Sequence, residues 1–340
     1  MQVREFESDD PRIWCAIDVV EKGCRLARQV QRDMAGSAIQ KDDRSPVTVA
    51  DFAIQALIGR RLGQTFPEDL LVGEESADQL REPDHGPLVE RITGYLNAFE
   101  PGARAEDILS WIDRGKGQSA KRFWVVDPID GTKGFLRDAQ YAIALAYVEE
   151  GQVQLGVLGC PRLQLSCERS AVRTDPVEQG CLIVASRGRG AWMRGLEESR
   201  YEPLSVSSVA DAAAAVVVRS VESGHTNVDR LGTLIACLGT QEPPVAMDSQ
   251  AKYGLLAAGQ ADLLLRLLSP ARPDYREKIW DQAPGAIVVE EAGGTITDLD
   301  GIPLDFSTGR KLLRNRGVVA SNGRLHESIL QALRRVEREA

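Results

Sequence analysis

The chain has 340 residues, with 41 Lys and Arg against 50 Asp and Glu for a net charge of −9. That is length enough for two domains with sizeable cores and the wrong sign for a protein that coats nucleic acid. Six cysteines without paired C-x-x-C spacing and only three histidines exclude a disulfide frame, a zinc site and a histidine-rich metal centre, and read as buried thiols in a reducing compartment. No apolar stretch approaches a membrane span, and Met1 to Pro11 is acidic where a signal peptide would be basic or apolar. A cytoplasmic protein is expected, with no membrane, no nucleic acid and no obligate protein partner.

Ile13, Ile17, Val20, Cys24 and Ala27 recur at helical spacing and predict a long first helix. Ser45-Pro-Val-Thr-Val-Ala-Asp51 opens a second, amphipathic one running from Asp51 to Gly63. Strands are expected at Leu70 to Val72, Phe123 to Val126, Tyr141 to Val148, Gln152 to Gly159 and Leu163 to Glu168, with Glu149-Glu150-Gly151 as a hairpin turn. Beyond Pro203 the pattern alternates. Ala214 to Arg219 reads as strand, Val228 to Leu238 as helix, Val245 to Met247 as strand, Ala251 to Ala258 as helix and Ala261 to Leu268 as strand. A helix near Asp281 and a hairpin at Asp300-Gly301 follow, which suggests a second α/β layer. No fixed-period repeat or low-complexity linker interrupts the chain.

The densest chemistry lies in Asp127-Pro-Ile-Asp-Gly-Thr-Lys-Gly-Phe135. Pro128 should end the apolar strand before it and Gly131 should turn the backbone sharply, so that Asp127 and Asp130 converge. Two carboxylates and the Ile129 carbonyl make a partial cage for a hard divalent cation such as magnesium. The Thr132 hydroxyl and the amides of Gly131 and Thr132 would face an anion at a helix start. A bare D-P-x-D also fits an Asp-Pro turn with an Asx cap.

Four more acids extend the set. Asp281 fits the N-cap of an apolar helix that stops at Gly293-Gly294, yet Pro284 would be its third residue and offers that cap no N–H, which favours metal binding. Asp51 follows Thr48 at capping-box spacing, and Glu74 and Glu75 also fit surface charge. Co-occurrence favours a site, because two or three divalent ions need about five carboxylates to approach neutrality.

Taken in order, S-P-V-T-V-A-D, V-G-E-E-S, D-P-I-D-G-T-K-G-F and W-D-x-A-x-G resemble the magnesium-dependent, lithium-sensitive phosphatase superfamily of inositol monophosphatases and fructose bisphosphatases. Gly131-Thr-Lys-Gly-Phe-Leu-Arg137, Ser110-Trp-Ile-Asp-Arg-Gly-Lys116, Met247-Asp-Ser-Gln-Ala-Lys-Tyr253 and Tyr275-Arg-Glu-Lys-Ile-Trp-Asp281 look like its 3′(2′),5′-bisphosphate nucleotidase branch. Nearly the whole chain is covered, and Pro284, where the family usually has Ala, is the nearest departure. The resemblance implies an α/β fold, a layered α-β-α-β-α sandwich with the site in a cleft. It extends an N-terminal α+β metal-binding domain over 1–203, leaving 204–340 as a C-terminal α/β domain.

By the same resemblance, Glu74, Asp127, Asp130, Asp281 and the Ile129 carbonyl would bind two or three magnesium ions. Asp51 and Thr132 would orient and deprotonate a water, and Glu75 would orient ligands from behind. Gly131, Thr132, Asp281, Ser249, Lys252 and Arg266 would hold a small-molecule nucleotide. Ser249 and Lys252 stand at i and i+3, while Arg266 interrupts an apolar strand and needs a partner, either an acid such as Asp262 or Asp274 or the phosphate that is retained. His225 matches a family position near the nucleotide and equally fits a surface loop; His85 and His326 read as structural or exposed. The expected activity removes the 3′ phosphate of adenosine 3′,5′-bisphosphate to give AMP, with the sulfated analogue as a second substrate. Alternatives are an inositol phosphatase using the same cage and a nucleotide sensor without turnover.

Overall fold

The computed structural model of the chain describes residues 6–36, 45–166, 172, 174–221, 227–269 and 271–339. Helix α1 spans Pro11–Gly36 and buries Ile13, Ile17, Val20, Cys24 and Ala27, as their spacing predicts. Helix α2, Ser45–Thr65, corrects two expectations. It begins at Ser45, so Thr48 is already inside it and the capping-box alternative for Asp51 falls away. Nor is it amphipathic, because every residue from Val49 to Gly59 is buried. Two helices that periodicity did not flag, α3 (Gly86–Phe99) and α4 (Ala105–Asp113), cover the side that would otherwise face water.

The first sheet holds, in chain order, β1 (Leu70–Gly73), β2 (Arg122–Asp130), β3 (Ala142–Glu149), β4 (Gln152–Cys160), β5 (Cys181–Ser186), β6 (Gly190–Gly195) and β7 (Glu202–Pro203). Only the β1–β2 pairing is parallel among them. Glu150 (φ 50°) and Gly151 (φ 77°) make the expected tight turn between β3 and β4. Contrary to expectation, Pro128 does not end β2. Pairing passes from Asp127 opposite Ala144 to Asp130 opposite Ala142, so the strand continues through a bulge at the proline, where no ladder N–H is needed. The strand expected at Leu163 to Glu168 is absent over the described residues 163–166; positions 167 and 168 lie outside them.

A second sheet among the described residues is built from β8 (Val217–Arg219), β9 (Val245–Ala246), β10 (Leu263–Arg266), β11 (Thr295–Thr297) and β12 (Val318–Ser321). Their order is β11-β12-β10-β8-β9. Residues Ala212–Ala214 form a 3-10 turn, so β8 starts later than expected. The turn at Gly301 forms, closed by Asp298 N–H donating to Ile302 O at 2.9 Å, yet β11 pairs with β12 instead of a strand just after it. Helices α6 (Val228–Leu238), α7 (Ala251–Ala257), α8 (Ala283–Glu291) and α9 (His326–Glu339) accompany this sheet. No described helix is long and apolar enough to cross a membrane.

Strand alternation sorts the core into three slabs. Trp124, Val126, Leu145 and Tyr147 point toward α1 to α4. Phe123, Val125 and Ala144 point the other way and pack on α7 and α8, which also cover Leu264, Val318 and Ala320 of the second sheet. Leu263, Leu265 and Val319 meet α6 and α9 behind it. The result is the α-β-α-β-α sandwich, with α7 and α8 as the filling between the sheets.

Gly156 in β4 sets how closely α8 approaches. A Cβ there would stand 2.5 Å from Ile287 Cγ2 and 2.7 Å from the Pro284 carbonyl oxygen. Gly156→Ala should therefore destabilise the fold by about 1–3 kcal/mol through overpacking. Urea denaturation checks this, and an unchanged midpoint and slope would contradict the close approach.

Candidate active site

The C-terminal ends of β1 and β2 open into a cleft of about 260 Å³ between the two sheets. Glu74 follows β1, where its N–H donates to Val126 O at 3.3 Å and so sets it beside Asp127. Gly131, with φ at 87°, caps the short helix α5 (Thr132–Leu136) and turns the chain out of β2. Glu74, Asp127, Ile129, Asp130, Gly131 and Thr132 line one side of the cleft; Ser249, Lys252, Arg266 and Asp281 line the other. Asp51 and Glu75 stand behind the first wall. Gln55, one helical turn after Asp51, fixes that layer by accepting from Glu75 N at 2.9 Å and donating to Glu75 O at 2.7 Å.

Crowding of like charges shows in the acids themselves. Asp127 is held well above the usual carboxylate range by burial and then by Glu74, Asp130, Asp281 and Asp51. Burial, then Glu75 and Glu74, raise Asp51. Asp281 is raised by burial and by Asp130, with Arg266 opposing. Burial and Glu74 push Glu75 up to about 7. Glu74 is raised by desolvation and Asp130 although its side chain touches the open cleft; a hydrogen bond with the Asp127 side chain, then Lys278 and Arg310, pull the other way. With one edge in water, its share from desolvation is smaller than for the buried acids.

Asp127 Oδ1 is buried and has no hydrogen-bond partner. An orphaned carboxylate oxygen among mutually repelling acids fits a hard cation, and oxygen donors suit magnesium. Among the described residues, no three acidic, histidine or cysteine side chains close into one tight ligand group. The acids surround a shared space instead, which suits an open site completed by water and substrate oxygens.

The structure gives several of these side chains definite partners. Asp281 does not cap α8: the N-cap position is Gln282 and Pro284 falls in the first turn, where its missing N–H costs nothing. The Asp281 carboxylate is free to face the cleft. Arg266 finds its partner in Glu277 at 2.9 Å, with Asp281 at 3.9 Å, instead of Asp262 or Asp274. Asp262 is occupied by Ser207 and Val216 N–H. Lys252 is 4 % exposed, donates to Met247 O at 3.1 Å and Ser249 O at 2.6 Å, and is brought down to about 8 by burial. The Thr132 hydroxyl donates to Ile129 O at 3.3 Å and not to Asp51.

His225 lies outside the described residues. His326 is buried, its ring bonded to Thr297 and Ser321 hydroxyls at 2.9 Å, and is structural. Cys237 is exposed, against the expectation of buried thiols throughout. Sequence reading missed Gln55, Gln250 and Glu277. The charge of Glu277 inside the quoted Tyr275 to Asp281 stretch was the only available signal, since the partner of a buried arginine need not be near it in sequence.

Residues 10–338 match the inositol monophosphatase family. This chain belongs to that family. A relative named 3′(2′),5′-bisphosphate nucleotidase from Oryza sativa is 43% identical over 92% of this chain and 91% of its own length. Another of that name, from Emericella nidulans, is 40% identical over 93% of this chain and 96% of its own. Among solved structures, a Thermotoga maritima IMPase superposes with a TM-score of 0.61 at 21% identity, over 97% of this chain and 99% of its own, and shares the sandwich.

The raised Glu75 gives a stability prediction. Its folded protein keeps a proton that the unfolded chain has released, so with chelator present stability should fall as pH rises from 4.5 toward about 7. Magnesium should raise the melting temperature strongly at about pH 8 and weakly at about pH 5, where protons already quench the repulsion. Asp127→Asn should raise the chelated midpoint and blunt the magnesium response. Differential scanning fluorimetry checks all three, and a chelated midpoint that climbs with pH over this window would contradict them.

Proposed function

We propose that this protein is a magnesium-dependent 3′(2′),5′-bisphosphate nucleotidase that removes the 3′ phosphate of adenosine 3′,5′-bisphosphate, giving AMP and inorganic phosphate. One observation carries the reading. The cleft sets the acids of the first sheet against Lys252 of α7 and Arg266 of β10, so a substrate with two phosphates can place one on each side. A ring bearing a single phosphate would leave the Lys252 side unmatched. The names of the relatives support a 3′(2′),5′-bisphosphate as substrate, and the sulfated analogue would meet the same wall.

Glu74, Asp127, Asp130, Asp281 and the Ile129 carbonyl would hold two or three magnesium ions. Bound magnesium supplies charge neutralisation at the phosphate and a water of lowered pKa. The remaining work belongs to the chain. Asp51, buried with its pKa already raised, would accept the proton, reached through the Thr132 hydroxyl once that hydroxyl turns from Ile129. Glu75, fastened by Gln55, would orient the acids in front of it. The amides of Gly131 and Thr132 would face the reacting phosphate. On the far wall, Ser249 Oγ accepts from Ala251 N–H at 3.2 Å, leaving its proton for the retained phosphate. Lys252 would add charge there, and His225 would lie near the nucleotide. Arg266, balanced by Glu277, contributes a fixed dipole more than a free charge.

Phosphate release should be fastest on adenosine 3′,5′-bisphosphate in a panel with inositol phosphates and fructose 1,6-bisphosphate. Asp130→Asn should lower it by more than about 10²-fold, roughly 3 kcal/mol of transition-state stabilisation. Preference for an inositol phosphate would overturn the substrate, and near-normal turnover by Asp130→Asn would overturn the cage.

Lys252→Met should cost about 1.5–3 kcal/mol of kcat/KM on adenosine 3′,5′-bisphosphate, the worth of a charge-assisted hydrogen bond. On 3′-AMP, which offers no second phosphate, the loss should be much smaller. Equal proportional losses would assign the ammonium to holding the Met247 and Ser249 carbonyls.

A further inference from the structure

Gln250 occupies the N-cap position of α7 at 2 % exposure, and three of its polar atoms reach two separate acid-bearing segments. Its backbone N–H donates to Asp130 Oδ2 at 2.6 Å. Its side-chain Nε2 donates to Trp280 O at 2.9 Å, and its Oε1 accepts from Gly285 N–H at 3.0 Å. Because Gly285 N–H can only donate, the amide has one orientation that satisfies both partners. Trp280 and Gly285 bracket Asp281.

The same amide supplies what α8 lacks. Pro284 has no N–H and Gln282 gives no side-chain cap, so Gln250 satisfies a first-turn donor of α8 from outside the helix. The junction is also tight. Ser249 holds φ at 65°, and a Cβ on Gly131 would lie 2.9 Å from Ser249 Cβ, so the β2 turn presses directly on this segment. Asp130 from the first sheet and Asp281 from the α8 entry thus share one buried anchor.

We infer that Gln250 is a positioning residue that fixes Asp130 relative to Asp281 and thereby sets the affinity of the cleft for its divalent cation. This rests on the metal reading above. An apolar side chain of similar volume would fill the space but leave Trp280 O and Gly285 N–H unanchored, letting the α8 entry and its carboxylate drift.

Titration calorimetry with magnesium chloride on the full chain tests it. Gln250→Met should raise the magnesium dissociation constant about 10–100-fold, the range for losing a group that orients metal ligands. Gln250→Asn, polar but one methylene too short to reach both partners, should behave alike and serves if the Met variant does not fold. In an Asp281→Asn background, Gln250→Met should change affinity by less than about twofold, because the α8 entry that the side chain holds then carries no charged ligand, while the backbone N–H that reaches Asp130 is unchanged. Wild-type affinity in folded Gln250→Met or Gln250→Asn would overturn the inference, as would a full additive loss in the double variant. Absence of magnesium binding by the wild type would instead overturn the metal reading itself.

Discussion

Carboxylates gathered around one cleft repel one another, and much of the surrounding structure serves to hold them there. Several are restrained by bonds to the backbone at or beside them. Glu74 is fixed through its backbone to Val126, Glu75 through its backbone to Gln55, and Asp281 lies between two anchors of Gln250. Asp127 sits in a bulged strand whose neighbours are buried in slabs on both faces. Repulsion of this kind costs folding free energy at neutral pH. The packing of three apolar slabs offsets it, since a marginal total is the balance of large opposing contributions.

Location follows from the same restraint. Acids on loop tips would spread apart, whereas the ends of β1 and β2 and the entry to α8 are held by the layers behind them. The filling helices α7 and α8 touch both sheets, so ligands from both sides meet across a single rigid junction. Gly156 permits that approach by having no side chain.

The cations are arranged with equal economy for a protein of negative net charge. Lys252 is tied to two carbonyls and Arg266 to Glu277, so neither is a loose surface charge. Farther along the rim, Trp280 lies under both Lys278 and Arg310, at 5.1 and 4.7 Å from its ring centroid. Arg310 also donates to Gly115 O at 2.9 Å and to Gly73 O, beside Glu74. These two cations act against the rise in Glu74, so the potential inside the cleft is set locally and not by net charge.

The amino-acid sequence by itself determined the features whose causes are local. Spacing of apolar residues located α1 and α6, Glu150-Gly151 marked the β3–β4 turn, and the Asp127 to Phe135 string carried both its turn and its likeness to the phosphatases. Tertiary structure decided what depends on neighbours remote in the chain. The burial of Val49 to Gly59 in α2 on all sides comes from α1, β2, α3 and α4 together, and the passage of β2 through Pro128 comes from a bulge against β3. Arg266 was legible as a charge needing a partner, but Glu277 became that partner only when the α8 entry folded across β10. Gln55 and Gln250 carried no signal at all, because an amide is unremarkable in sequence and acquires its role from the two or three groups that folding brings within hydrogen-bond reach.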